Sequence, residues 1–103
     1  MRYSAQTSAS PAEALMLARS AFGETGVGLR ISALTLTSAR FTGDAGFVAF
    51  EAQRLPGGVT EVVLETREFD AEARRFLLSL PRHSALRTAW RRVRSKIRPS
   101  TTP

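Results

Sequence analysis

Phe47-Val48-Ala49-Phe50-Glu51-Ala52-Gln53-Arg54-Leu55, then Pro56-Gly57-Gly58, then Val59-Thr60-Glu61-Val62-Val63-Leu64-Glu65-Thr66 sets the architecture of the chain. Two runs of alternating apolar and polar residues flank a Pro-Gly-Gly break, the pattern of a β-hairpin with a three-residue loop whose last position favours glycine in a left-handed conformation. If Leu55 faces Val59, then Ala52 faces Val62, Phe50 faces Leu64 and Val48 faces Thr66, which puts one apolar set on one face. The opposite face then carries Glu51, Glu61 and Glu65.

Working upstream, Thr42-Gly43-Asp44-Ala45-Gly46 reads as a turn and Leu29 to Phe41 as one further strand. In that strand the apolar positions change parity between Ile31 and Leu34, and a bulge near Ser32 and Ala33 reconciles them. Gly23, Gly26 and Gly28 form the exit from a helix that starts at Ser10-Pro11-Ala12-Glu13, where serine caps, proline suits the first position and glutamate bonds back to the cap. Its buried stripe is Leu15, Ala18 and Phe22. At the start of the chain, Tyr3, Ala5 and Thr7 alternate with polar residues as a short strand, with Tyr3 inward.

Downstream, Asp70 is placed to cap a second helix that covers the sheet with Phe69, Ala73, Phe76, Leu77 and Leu80 and stops at Pro81. The expected fold is therefore α+β, a two-layer sandwich of order β-α-β-β-β-α over residues 1–81. A basic amphipathic helix is expected over 82–98 and a disordered tail over 99–103.

The 103 residues suffice for one core, and the chain has no cysteine and one histidine. Disulfides, thiolate metal ligands and cysteine nucleophiles are thereby excluded, and no metal or cofactor is expected. The early apolar stretch is broken by Glu13 and Arg19, so no membrane span is read there and cytoplasmic residence is the expectation. Charge is unevenly distributed: residues 1–72 hold nine acids and six bases, whereas residues 73–103 hold nine bases and no acid. Such asymmetry points to an anionic partner, whether nucleic acid, an anionic membrane surface or an acidic protein.

No catalytic constellation is legible. Glu51, Glu61 and Glu65 are the acidic side chains of a solvated sheet face, and no histidine accompanies them. Gly23 to Gly28 follows a helix, whereas phosphate loops precede one. His83 lies between Arg82 and Ser84 with no carboxylate to orient its ring, so hydroxyl nucleophiles lack a base.

The feature above background is Arg82 to Arg98, with seven lysines or arginines in seventeen residues. Arg82, Arg87, Arg91, Arg92, Arg94, Lys96 and Arg98, together with Trp90, are the candidate binding residues. Leu86, Trp90, Val93 and Ile97 form an apolar stripe that can pack on the domain, pair with a second copy or enter a lipid interface, while the arginines suit phosphates.

The succession of a strand, a helix begun by Ser10-Pro11-Ala12-Glu13-Ala14, a meander through Phe47 to Thr66 and a closing helix resembles the helix-grip ligand-binding domains of the START and Bet v 1 type. That resemblance implies an apolar ligand held between sheet and closing helix, with Leu36, Phe50, Leu64 and Phe76 lining the cavity. Pro11 to Leu80 also resembles the order of a double-stranded-RNA-binding domain, but Asp70 and Glu72 open the second helix where that family's lysines would meet phosphate. The reading from sequence is a non-enzymatic binding or interaction module whose basic C-terminal helix engages an anionic or protein partner, with the apolar-ligand carrier as alternative.

Overall fold

A computed structural model describes residues 1–82, and within them the chain is a two-layer α+β sandwich: a five-stranded antiparallel sheet with two helices. The elements are β1 (Arg2–Thr7), α1 (Pro11–Phe22), β2 (Arg30–Leu34), β3 (Ser38–Thr42), β4 (Phe47–Arg54), β5 (Thr60–Arg67) and α2 (Asp70–Ser79). Across the sheet the order is β1-β5-β4-β3-β2, so the first strand pairs with the last and α1 carries the chain from one edge to the other.

The β4–β5 hairpin has the register that its alternation dictates. Ala52 faces Val62, Phe50 faces Leu64 and Val48 faces Thr66. The Leu55 amide donates to the Val59 carbonyl at 2.6 Å, and Gly57 and Gly58 have φ of 90° and 81°, the left-handed backbone that excludes a side chain at little cost only for glycine. At the other end, Gly46 sits where an added Cβ would lie 2.0 Å from the Arg67 carbonyl oxygen, so the turn and the end of β5 touch backbone to backbone.

The segment expected as one strand over 29–41 is two strands. Thr35-Leu36-Thr37 reverses the chain because the Thr35 amide donates to the Ser38 carbonyl at 2.8 Å while the Thr35 hydroxyl accepts the Thr37 and Ser38 amides at 3.2 and 3.0 Å. Threonine hydroxyls stabilise turns in this way, and because threonine also favours strands the signal is hidden. The order is thus β-α-β-β-β-β-α, one strand more than expected. The bulge itself is present, since pairing slips between Ile31 and Ala33. It brings Leu34 opposite Ala39, on the face that holds Phe41 and Val48.

Both helices cover that same face, α1 over β3, β4 and β5, and α2 over β1 and β5. The α1 start is a complete capping box: Ser10 Oγ accepts the Glu13 amide at 3.1 Å and Glu13 Oε1 accepts the Ser10 amide at 2.8 Å. The Ser10 backbone bond and then the Ser10 hydroxyl hold the Glu13 carboxyl below its ordinary value against desolvation, with the charge of Arg54 adding least. For α2 the expected cap is corrected. Phe69 is the cap residue and has no side-chain bond, while Asp70 is already helical. Thr66 Oγ1 does the tethering, accepting the Phe69 amide at 3.3 Å and lying 3.4 Å from Asp70 Oδ1.

Phe22, Phe41, Phe50, Val48, Val62, Leu64 and Phe76 form the core between the layers. Phe22 is its hub, with ring centroids 5.6 Å from Phe41 and 5.2 Å from Phe76, so one side chain joins α1 to the sheet and to α2. Tyr3 is partly buried against this core and its hydroxyl accepts from Arg74 of α2 at 3.2 Å. Beyond α2, the Pro81 carbonyl accepts the Ser8 amide at 3.1 Å and the Thr7 hydroxyl, and Arg82 forms a bridge with Thr7.

Candidate functional site

Both helices lie on one side, so among the described residues the other face of the sheet is open, and the register gives its composition row by row. One row across four strands reads Arg67, Phe47, Thr42, Arg30. The next, across all five, reads Arg2, Glu65, Ala49, Arg40, Ala33. A third reads Ser4, Val63, Glu51, Ser38, and a fourth Gln6, Glu61, Gln53. Because strands alternate, with the bulge after Ile31 resetting the phase of β2, all these residues share the face opposite Val48, Phe50, Leu64 and Thr66.

This face is electrically polarised along the strands. Arg30, Arg67, Arg40 and Arg2 occupy the first two rows, whereas the charged residues of the last two are the acids Glu51 and Glu61. Glu65 is the acid of the second row, between Arg2 and Ala49. At the basic end the Arg40 guanidinium lies over the Phe47 ring, 4.1 Å from its centroid, which fixes a cation above a half-buried aromatic. Ser32 and Thr42 hydroxyls, 2.8 Å apart, flank it. Among the described residues the arginines whose side chains donate hydrogen bonds are Arg54, to the Gly58 carbonyl, and Arg74, to Tyr3. The four arginines of the open face are all exposed. A shallow depression continues from this end across the second and third rows, floored by Ala33, Ala49 and Ser38 and walled by Arg2, Arg40 and Glu51.

The residues expected from sequence fall differently. Phe50, Leu64 and Phe76 come together in the core, at 2%, 0% and 4% exposure, with the Phe50 and Phe76 rings edge to face at 6.4 Å. Leu36 does not join them. It is 89% exposed at the tip of the β2–β3 hairpin, because the residues expected to continue a strand turn back instead. Arg82 is exposed at its bridge to Thr7. Arg87, Trp90, Arg91, Arg92, Arg94, Lys96 and Arg98, the stripe of Leu86, Val93 and Ile97, and His83 lie outside the described residues. Glu51, Glu61 and Glu65 share the open face as expected, and no group of acidic or histidine side chains among the described residues is arranged to hold a metal ion. Gly23 ends α1, and its carbonyl accepts the Gly26 and Gly28 amides, so the glycine-rich segment is a helix exit. No helix among the described residues is long and apolar enough to cross a membrane.

The arginine cluster is the part that sequence reading missed. Its signal was present in the parity of Arg40, Phe47 and Arg67, each opposite in phase to the core residues, but Arg30 enters the row only through the β2–β3 hairpin. Compared with known protein families, curated proteins and solved structures, the chain matches none of them.

Proposed function

We propose that the protein is a non-enzymatic binding module that captures a polyanionic partner on the open face of its sheet, with the acid-free, arginine-rich segment after residue 82 adding to the same attraction. The observation that carries this is the gathering of Arg30, Arg40, Arg67 and Arg2 at one end of a face from which both helices are absent. All four are exposed, and the acids Glu51 and Glu61 are displaced to the far end, so a partner with several negative groups meets cations from four strands at once. The polar arrangement also sets orientation, since the acidic end repels what the basic end attracts.

The apolar-ligand carrier is the weaker reading because Phe50, Leu64 and Phe76 already fill the space against one another. Binding of a sulfated polysaccharide such as heparin tests the proposal. Affinity should fall about tenfold or more between 50 and 200 mM salt, and Arg30→Gln, Arg40→Gln and Arg67→Gln together should flatten that dependence. Salt-independent binding, or a triple variant with unchanged affinity, overturns it.

A further inference from the structure

The basic end of the open face contains an aromatic ring, and polyanion capture alone gives that ring no role. Phe47 stands in the middle of the first row, between Arg67 on β5 and Thr42 on β3, with Arg30 one strand further on. At about 4.8 Å per strand the row from Arg67 to Arg30 spans about 14 Å. Arg40 sits one row behind, its guanidinium 4.1 Å above the ring. A cation thus sits over a half-buried aromatic ring on this face, with further arginines on either side. Bases stack on aromatic rings and on guanidinium planes, and arginines bind the phosphates between them.

We propose that this end of the sheet binds single-stranded nucleic acid, one base stacking on the Phe47–Arg40 pair while Arg67 and Arg30 hold the flanking phosphates. The proposal rests on the reading of the protein as a polyanion-binding module and names the partner. Charge complementarity argues for this occupant: the arginines match the backbone, while Glu65 in the second row and Glu51 and Glu61 beyond it turn the strand toward the first row. The hydroxyls of Thr42 and Ser32 lie within the same row and beside it, placed to meet sugar or base edges. A duplex keeps its bases stacked inside and offers none to a ring set flush in a sheet. A bilayer needs protruding apolar side chains, and the large exposed ones, such as Leu36, Leu78 and Met16, lie on the hairpin tip and on the helices.

Fluorescence anisotropy with a labelled twelve-residue oligothymidylate tests this in the full chain, with the matching duplex, heparin and phosphatidylserine vesicles as the other probes. Phe47→Leu, which retains an apolar side chain, should weaken oligothymidylate about 5- to 150-fold, the range of one lost base stack. Heparin binding should change less than twofold in the same variant, and Phe47→Trp should restore the oligonucleotide affinity. Denaturation midpoints of both variants control for folding. Equal affinity of Phe47→Leu and the parent for oligothymidylate overturns the proposal, as does tighter binding of duplex or of vesicles through Phe47. If heparin binds and depends on the arginines while oligothymidylate ignores Phe47, only this inference falls. If no polyanion binds at all, the functional reading falls with it.

Discussion

Replacing Phe76 with alanine tests the packing on which the domain rests. The side chain is 4% exposed and touches two rings, Phe22 at 5.2 Å and Phe50 at 6.4 Å between centroids. An aromatic buries about 150–250 Å². At about 25 cal/mol per Å² its burial contributes about 4–6 kcal/mol, an upper bound because the denatured chain already hides part of that surface. Alanine keeps a fraction of the contact, so the expected loss is about 3–5 kcal/mol. A domain of this size has a total stability of about 4–12 kcal/mol, so the variant stands near its unfolding threshold. Urea denaturation followed by circular dichroism measures this, with an unchanged m-value showing that the same surface is exposed. Phe76→Leu should lose about 1–2 kcal/mol, since volume is nearly kept and the edge-to-face contacts are not. A loss below 1 kcal/mol for alanine would refute the packing argument and revive an apolar cavity beneath α2.

Thr60 is fully buried and its hydroxyl has no hydrogen-bond partner among the described residues, so Thr60→Val should raise stability by about 1 kcal/mol, readable as a higher urea midpoint. Gly46→Ala should lower it by more than about 1 kcal/mol, because the new Cβ meets the Arg67 carbonyl and backbone must yield; a neutral result contradicts the close approach. The Glu13 carboxyl is held below its ordinary value by its bonds to Ser10, so its contribution is present above the unfolded value and is lost as pH falls through the folded one. The midpoint gap between the parent and Glu13→Gln should therefore be wider at pH 7 than at pH 3, and a gap independent of pH counts against the capping box. A chain ending after Arg82 should keep its denaturation midpoint, whereas one ending at Leu80 should lose it in part, since Pro81 anchors Ser8 and Thr7.

Where local chemistry and long-range pairing agreed, the sequence was readable. Ser10 to Glu13 can satisfy each other's backbone without help, and the Pro56-Gly57-Gly58 loop leaves one workable register for the flanking strands. The β2–β3 hairpin was hidden because its turn uses Thr35 and Thr37, residues that also favour strands, and no glycine or proline marks it. The cap of α2 was misplaced by one residue because Asp70 is a good cap in isolation, while Thr66, four residues back, reaches the same backbone from the end of β5. The candidate site lay furthest from view. A row of four side chains from four strands is a property of register across the sheet, and an error in one strand removes its outermost member.

The pairing of β1 with β5 has a consequence for how the protein is made. Arg2 to Thr7 are made well before their partners, Thr60 to Glu65, and the latch at Pro81 comes later still. The first strand must therefore remain unpaired through most of synthesis, while the β4–β5 hairpin and α1 can form from neighbours close in sequence. Closure of the β1 edge therefore comes after the rest of the sheet has been made, and the Met1 nitrogen, which donates to the Thr66 carbonyl at 2.8 Å, takes part in that step.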